Sequence, residues 1–311
     1  MKKAKIIILC CLWIFFLFSC ASSVKIKVQR PAEYDLQGAR SISVLPFTTT
    51  GLFWGPEKEK IAKYISSSIQ SNLIQSGYFS VIDSSFVNSA LREKSSLPCD
   101  VYIKGAILDF SDIINASSLE DEEEEQIEYA RHVKFLVSYA IVNGKTHEII
   151  ATNQERFSFT SLREKFIYNL PSALYLAQWD LDLFVSDLLK KIEPYTETRK
   201  VFMLKDKSKN EIMMQGSEFV KEGNLSAALE KYLSVYNELG LFEAGYNAAR
   251  IMEAQGKYTE AEKLMLEVYN KTGEKKARNA IKEIQREIKD DQIFKEQQEK
   301  RNSQEKNVYE K

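Results

Sequence analysis

The sequence predicts an α+β protein in which a small α/β sheet domain is followed by an all-α domain of helical repeats. Two patterns in the 311 residues support this prediction. Up to residue 196, short β-prone runs alternate with amphipathic helical segments, which is typical of a sheet with helices packed on it. From residue 206 the strand pattern disappears, and a helical pattern that matches itself at an offset of 33 residues replaces it.

The first nineteen residues are a predicted secretory signal peptide. Residues 1–5 are basic, residues 6–18 are apolar and uncharged, and the small residue Ser19 precedes Cys20. This ending resembles a bacterial lipobox, although Phe18 stands where a small or β-branched residue is commonest. Looser versions are familiar from spirochaetes. The resemblance implies cleavage before Cys20 and acyl chains such as palmitate on its thiol and amine, with residues 20–40 as a tether.

An uncleaved signal anchor is the alternative interpretation of this segment. Residues 6–24 form an uncharged stretch close to the roughly 20 residues that cross a bilayer. Lipidation is favoured because the run becomes small and polar over residues 19–23. The residue after Cys20 is Ala21, and by the rule known from enteric bacteria the absence of Asp there favours the outer membrane. We therefore expect a lipid-anchored envelope protein, on the periplasmic or the surface face.

Charge and cysteine content exclude several classes of protein. The net charge is −1, and removal of the signal peptide leaves 40 basic against 44 acidic residues. This balance predicts no nucleic-acid partner and no polybasic patch for anionic lipid. Cys10 and Cys11 lie in the signal segment, so Cys99 is left without a disulfide partner. We expect Cys99 to be an inert, half-buried thiol.

The first domain, residues 41–196, begins with a predicted strand and a predicted helix. Residues 41–47 are mostly apolar and β-prone. Residues 57–76 are amphipathic, and Gly77 stands at the position of a C-terminal cap. The apolar stripe of this helix recurs every four residues: Ile61, Ile65, Ile69 and Leu73.

The middle of this domain contains shorter predicted elements. Residues 78–82 predict a strand and residues 86–93 a short helix. Apolar residues alternate again over residues 101–110, which predicts a third strand. The acidic run over residues 120–125 repels itself and is expected in a flexible loop, with weak Ca²⁺ binding or a basic partner as the alternative.

A hairpin and a helix complete the predicted domain. Residues 133–142 and 148–159 are expected to pair through a type I′ turn at Asn143-Gly144, because both central residues of that turn need a positive φ. Polar residues interrupt both strands, so we expect a half-buried pair in a sheet and not a membrane-spanning hairpin. The final helix covers residues 172–192, with Ser172 as its N-cap.

Short segments of this domain resemble the CsgG-like and LpoB-like periplasmic lipoprotein domains. The segments are Arg30–Glu33, Ile42–Phe47, Gly77–Phe79, Asp100–Gly105 and Tyr139–Thr146. The resemblance covers residues 28–192. It implies a non-enzymatic envelope lipoprotein, since members of that broad group build secretion pores, activate cell-wall synthases or serve transport systems.

The second domain, residues 206–289, contains two copies of one repeat. The matched pairs are Met213 with Tyr246, Gly216 with Ala249, Phe219 with Met252, Gly223 with Gly256, Ala228 with Ala261, Tyr232 with Met265, and Tyr236 with Tyr269. Both copies contain Gly-x-Leu/Tyr-x-x-Ala, and the pattern resembles the tetratricopeptide repeat. The candidate protein-binding residues are the aromatic ones: Phe219, Tyr232, Tyr236, Tyr246, Tyr258 and Tyr269.

Two repeats bury little surface, so a further helix is expected to cap them. Its predicted apolar face contains Ala277, Ile281 and Ile284. Residues 290–311 are mostly charged and are expected to be a solvated helix or disordered. The repeats are expected to dock a peptide or protein in a concave groove, with a purely spacing role as the alternative.

No catalytic site and no metal or cofactor site is predicted for this chain. Its two histidines, His132 and His147, are too few to suggest a His-based catalytic triad or a metal site. No phosphate-binding glycine loop or nucleophile elbow occurs, and no cofactor is expected. The loop residues Phe53 and Trp54 are either an exposed contact or folded onto the sheet.

The leading hypothesis is a non-enzymatic, membrane-tethered interaction or assembly module that docks envelope proteins or peptides. A self-associating structural subunit of an envelope secretion or transport assembly is the second hypothesis. The third is a cell-wall hydrolase, which only the predicted location motivates.

Overall fold

The computed structural model describes residues 23–49, 55–120 and 125–309. The predicted signal peptide, Cys20, Phe53, Trp54 and residues 121–124 of the acidic run lie outside these ranges. The chain divides into two compact units. We call residues 31–195 together with residues 295 onward the sheet unit, and residues 23–30 together with 196–294 the helical unit.

The α+β class predicted from the sequence is confirmed, since a sheet region precedes a region of several helices. The strands are β1 (Ser23–Arg30), β2 (Ser41–Val44), β3 (Thr48–Thr49), β4 (Ser80–Val81), β5 (Val101–Glu120), β6 (Glu125–Asn143), β7 (Ile149–Thr160) and β8 (Tyr195–Phe202). The helices are α1 (Pro56–Ser76), α2 (Ser84–Glu93), α3 (Ala173–Ile192), α4 (Glu211–Glu222), α5 (Leu225–Leu239), α6 (Phe242–Ala254), α7 (Tyr258–Thr272) and α8 (Lys275–Tyr309).

The sheet unit is built on one mixed sheet. Its strand order is β4-β2-β5-β6-β7, and β3 also pairs with β5. The pairings of β2 with β4 and β5 are parallel, whereas those of β6 with β5 and β7 are antiparallel. Helices α1 and α3 cover one face, which we call the inner face, and the core lies between them and the sheet.

Helix α1 forms as its sequence predicts. Its stripe residues Ile61, Ile65, Ile69 and Leu73 are fully buried, and each such side chain contributes about 1.5–3 kcal/mol. Gly77 ends the helix at φ 65°, a left-handed conformation that favours glycine. Helix α3 begins at the predicted cap, where the Tyr175 N–H donates to Ser172 Oγ over 3.1 Å.

The strands β5 and β6 are longer than predicted. The sequence suggested that the third strand ends at residue 110 and a loop follows, but β5 continues to Glu120 and pairs with β6 along its length. A bulge between Leu108 and Ser111 interrupts the register, and Asp109 has φ 50° there. The bulge breaks the alternation of apolar residues, and this hides the continuation. We call residues 111–120 and 125–131 the arm.

The turn between β6 and β7 also differs from the prediction. Neither Asn143 nor Gly144 has a positive φ, so the turn is not type I′; His147 has φ 59° instead. The loop is longer than two residues. The Asn143 side chain stabilises it by accepting hydrogen bonds from the N–H groups of Lys145 and Thr146, at 2.8 and 3.0 Å.

In the helical unit, each of the helices α4, α5 and α6 packs on the next one in the chain. The repeat positions point into this core: Ala228 and Ala261 are fully buried, as are Tyr232 and Met265. Gly216 is needed for close approach, because a Cβ there would lie 2.8 Å from Cε1 of Tyr232. The repeated small residues therefore let neighbouring helices pack closely. The tetratricopeptide assignment itself stays a prediction.

The ends of the chain differ most from the sequence analysis. Residues 23–30, expected in a tether, form β1, which pairs with the unexpected strand β8 in a two-stranded sheet. Residues 290–309, expected to be solvated or disordered, are helical within α8. In the sheet unit, the Gln297 side-chain amide bonds both the N–H and the C=O of Ala32, at 3.0 and 2.9 Å. Through these hydrogen bonds the charged C-terminal part of α8 packs on the segment around Ala32.

Candidate binding groove

The outer face of the sheet, opposite α1 and α3, contains an open groove of about 900 Å³. Residues from the loop after β2 and from β3, α2, β5, β6 and β7 line it. The residues used below are Thr48, Asn88, Arg92, Lys104, Ala106, Ser138, Ala140, Thr152 and Gln154, and we call their surface the groove.

Strand register builds the floor of the groove. One row crosses four strands, because Ala106 pairs with both Thr48 and Ser138, and Ser138 pairs with Gln154. A parallel row consists of Lys104, Ala140 and Thr152. The small side chains at the centre of each row, Ala106, Ser138 and Ala140, keep the floor low, while the hydroxyls and the amide offer hydrogen bonds.

Helix α2 forms one wall of the groove. Asn88 and Arg92 are four residues apart, so they lie on the same side of this helix. The opposite side anchors the helix to the outer face, where Val87 packs in a small core with Leu45, Tyr102 and Val142. Asp83 caps the helix by accepting a hydrogen bond from the Ser85 N–H over 2.7 Å.

The charge of the groove is positive. Arg92 and Lys104 are exposed, and no described residue forms an ion pair with either. Among the described residues that line the groove there is no Asp or Glu. A ligand with carboxylates or other anionic groups would therefore complement the wall and the floor.

The free edge of strand β7 offers a second means of recognising a partner. In the described part of the sheet, β7 is the last strand and pairs only with β6. Its residues Thr152 and Gln154 are exposed and line the groove. An extended segment can therefore pair with the backbone of β7 while its side chains enter the groove.

Cys99 is not a reactive thiol. It is 4% exposed, against the half-burial expected from the sequence. Burial and the neighbouring charge of Asp100 raise the pKa of the thiol to about 11. The thiolate is the nucleophilic form, so this cysteine is inert at neutral pH.

The two histidines are separated from the groove residues. His132 is half-buried on β6, where its Nδ1 lies 3.0 Å from Thr160 Oγ1. His147 is exposed in the β6–β7 turn. Within the described ranges, no three His, Cys, Asp or Glu side chains are grouped as metal ligands.

The six aromatic residues named as candidate binding residues belong to the core of the helical unit. Tyr232, Tyr236 and Tyr246 are 0, 4 and 9% exposed. Phe219, Tyr258 and Tyr269 are partly buried against the same core. Repeat positions recur because they hold the helices together, so the periodicity of these six residues reflects packing in the core. Their role in protein binding stays a prediction.

The groove residues were not among the site residues predicted from the sequence. Arg92 and Lys104 are 12 positions apart and belong to different elements, while Ser138 and Gln154 meet only through the β6–β7 register. The polar residues Lys134, Ser138, Glu155 and Arg156 did indicate that this hairpin is half-buried in a sheet. That signal identifies a solvent-facing surface, but the wall that makes it a groove depends on where α2 packs.

No family model and no curated protein matches the chain. Some solved structures resemble part of it at low identity. The PelC dodecamer from Paraburkholderia phytofirmans has a TM-score of 0.30 and 9% identity, covering 55% of this chain and 98% of that one. Lipoprotein GNA1162 from Neisseria meningitidis has a TM-score of 0.29 and 9% identity, covering 49% and 97%.

The rare lipoprotein B from Shewanella oneidensis has a TM-score of 0.19 and 7% identity, covering 61% of this chain and 98% of that one. Several solved structures similar to parts of this chain are thus bacterial lipoproteins, but TM-scores this low support no inference about its function. Among the helices of the described residues, none is both long and apolar enough to cross a membrane.

Proposed function

We propose that this chain is a non-enzymatic lipoprotein of the bacterial envelope, tethered through Cys20, that docks an extended acidic segment of another envelope protein in the groove. The observation that supports docking is the combination of two unpaired cations with a floor of small polar residues and no lining carboxylate. Such a surface is complementary to a polar anionic partner and poorly suited to an apolar one.

An extended segment fits better than a folded surface. The rows of the floor run across the strands, and the free edge of β7 offers unpaired N–H and C=O groups at one end of each row. A peptide that adds a strand there gains main-chain hydrogen bonds, and every second side chain lies on the outer face of the sheet, the face that carries Arg92 and Lys104.

Binding, not catalysis, is the role that the groove residues support. A nucleophile needs a base within hydrogen-bond reach, as in a Ser–His pair. The lining hydroxyls of Thr48, Ser138 and Thr152 have no His, Asp or Glu beside them in the lining. Arg92 and Lys104 are suited to hold a negative charge in place.

Site-specific photo-crosslinking tests the docking proposal. A photoreactive amino acid replaces Gln154 in the full, membrane-tethered chain, and the crosslinked peptide is identified by mass spectrometry. We expect one predominant envelope protein, joined through a segment that contains Asp or Glu. Replacing these acids by Asn or Gln in the partner should lower the crosslinking yield about tenfold, the effect of about 1.4 kcal/mol.

Two variants complete this experiment. Arg92→Gln with Lys104→Gln should reduce crosslinking to a similar degree, because both residues are exposed and their replacement leaves the core intact. Lys231→Gln with Lys263→Gln removes the same charge from the helical unit and should have no effect. Equal yields from all three proteins, or a crosslinked segment without acidic residues, would contradict the proposal.

Self-association is a second candidate function, and one surface favours it. Tyr175, Trp179 and Leu183 follow one another at four-residue steps on α3 and are 72, 74 and 54% exposed. Exposed Trp and Tyr side chains in a row are typical of protein interfaces. Asp180 and Asp182 flank them, so the same surface is acidic.

Light scattering of the detergent-extracted protein tests self-association. A defined high-mass species that dissociates in Trp179→Glu would support a structural subunit. Because Trp179 is exposed, the substitution should leave the far-UV circular dichroism unchanged. A monomer for both proteins at all concentrations would remove this candidate and leave the docking proposal in place.

A further inference from the structure

The strands β1 and β8 of the helical unit form a small sheet with two different faces. Along β1, Val28 is buried and Val24 and Ile26 pack against the helical core. Alternation then directs Lys25 and Lys27 to the opposite face, where both are exposed. On β8, Val201 is buried, so Lys200 and Phe202 lie on the exposed face.

A hydrogen bond between the strands confirms which residues share this exposed face. Gln29 Nε2 donates to Thr196 Oγ1 over 3.1 Å, and each of these residues is separated by even steps from the lysines of its strand. We call the surface formed by Lys25, Lys27 and Lys200 the lysine face.

The lysine face is a concentration of positive charge that the overall composition conceals. Within the described residues, none of the three lysines is ion-paired. Glu197 of β8 lies on the other side, where Arg30 Nε donates to its carboxylate over 2.7 Å. Among the described residues of β1 and β8, the exposed face therefore presents three cations and Phe202 without a carboxylate.

The acidic side chains of this region are held by arginines. Arg30 Nη1 donates to Glu287 at 2.9 Å and to Asp290 at 2.8 Å. Arg199, on the inward side of β8, is paired with the buried Glu253. These pairs fix the strands on the helices with the lysines pointing outward.

The lysine face begins close in sequence to Cys20, the predicted lipid anchor. Only Ala21 and Ser22 separate Cys20 from the first residue of β1. Three residue steps span at most about 11 Å. A lipidated Cys20 would therefore hold the start of β1 close to the headgroups, because β1 begins within the tether that was expected over residues 20–40.

We infer that the lysine face is a contact surface for anionic lipid headgroups of the membrane that holds the acyl chains. The inference rests on the proposed lipidation of Cys20. Its occupant follows from charge complementarity and from the two-residue connection to the anchor. Each lysine near an anionic surface strengthens the contact about fivefold, so three lysines strengthen it on the order of 100-fold.

Lysine footprinting of the full, membrane-extracted protein tests the inference. The protein is reconstituted into phosphatidylcholine vesicles and into vesicles with an equal share of phosphatidylglycerol, and its lysines are acetylated and quantified by mass spectrometry. We expect protection of Lys25, Lys27 and Lys200 on the anionic vesicles only. The protection should disappear as salt is raised, because the contact is electrostatic.

Lys263 and Lys282, exposed on α7 and α8, are the internal controls and should be acetylated equally on both vesicles. In the variant Lys200→Gln, protection of Lys25 and Lys27 should fall about fivefold. The matched variant Lys263→Gln should leave it unchanged.

The intact mass of the same sample separates the two possible failures. Acylated protein whose lysine face is acetylated equally on both vesicles overturns the lipid contact and leaves the tether in place. Protection on both kinds of vesicle also overturns it, because proximity to the bilayer then suffices. An uncleaved, unacylated chain overturns the tether and the lipid contact together.

Discussion

At the scale of single residues, Gly105 sets how closely β5 approaches the loop after β2. A Cβ at this position would lie 2.2 Å from Cε1 of Phe47, and Phe47 is itself buried. The neighbouring residues Lys104 and Ala106 belong to the groove. The outer face of this strand therefore lines the groove, and its inner face packs in the core. Gly105 serves the core, and its replacement should change stability without changing the charge of the groove.

We predict that Gly105→Ala lowers the free energy of unfolding by about 1–3 kcal/mol, the usual cost of overpacking a core. Urea unfolding followed by circular dichroism measures this change. In a Phe47→Ala background the same substitution should cost much less, because the ring that it would meet is absent. An equal cost in both backgrounds would show that the contact with Phe47 is not the cause.

Glu193 is a buried acid whose titration should affect stability. It follows α3 and accepts a hydrogen bond from Ser76 Oγ over 2.9 Å. Burial raises the pKa of its carboxyl above the ordinary 4.5, although the Ser76 hydrogen bond and the charge of Arg301 oppose the shift. The folded state therefore binds the proton more tightly than the unfolded state does.

The sign of the pH dependence follows from this difference. The stabilisation is fully present below pH 4.5 and is lost as pH rises through the raised pKa of the folded state. We predict that Glu193→Gln, which keeps an oxygen for Ser76, removes this decline. Thermal unfolding measured from pH 4 upward, a range chosen around that unfolded-state value of 4.5, checks it. Parallel curves for wild type and variant would contradict the prediction.

At the scale of elements, the arm depends on a small number of contacts at its base. Arg131 holds both oxygens of Asp112, with Nε–Oδ1 at 2.7 Å and Nη2–Oδ2 at 2.9 Å. Its Nη1 also donates to the carbonyl of Pro171 over 2.9 Å. Beyond this point Ile113 and Ile127 are half exposed, so little apolar burial supports the two strands.

We predict that Arg131→Lys loosens the arm without unfolding the sheet. A lysine cannot make the two-pronged contact with Asp112 and reach Pro171 as well. Amide hydrogen exchange in residues 112–118 and 127–131 should accelerate about tenfold, equivalent to about 1.4 kcal/mol. The matched variant Arg163→Lys, whose partner Glu128 is 4.0 Å away, should exchange like wild type. Unchanged exchange in Arg131→Lys would argue against this contact as the support.

The elements differ in how well the sequence predicted them. Helix α1 was predictable because its buried stripe and the Gly77 cap are local signals. Strands β1 and β8 were not predicted, because the two strands pair only with each other and lie far apart in the chain. The alternation of Val24, Ile26 and Val28 with lysines was a local strand signal that the tether interpretation missed. The groove was not predictable for a similar reason, since strand register and the packing of α2 bring its residues together.

At the scale of the whole molecule, two surfaces are proposed to act, one in each unit. The groove in the sheet unit is suited to an acidic protein segment, and the lysine face in the helical unit is suited to anionic headgroups. The chain is weakly acidic as a whole, with a net charge of −1. Both surfaces therefore result from how the fold distributes charge, and overall composition is a poor guide to them.

Both proposed roles depend on the lipid at Cys20. The acyl chains would confine the search for a partner to one membrane, and the two-residue connection to β1 would keep the helical unit at its surface. At about 0.8 kcal/mol for each buried CH₂, two or three acyl chains would keep the chain on the membrane throughout its lifetime.

The intact mass of the protein extracted from membranes tests the lipid anchor at Cys20. We predict that the wild-type chain begins at Cys20 and carries the added mass of its acyl chains, and that Cys20→Ala retains residues 1–19 without any acyl chain. An uncleaved N-terminus in both proteins would contradict lipidation, because residues 6–24 would then be a transmembrane anchor and the partner would have to be sought at the inner membrane.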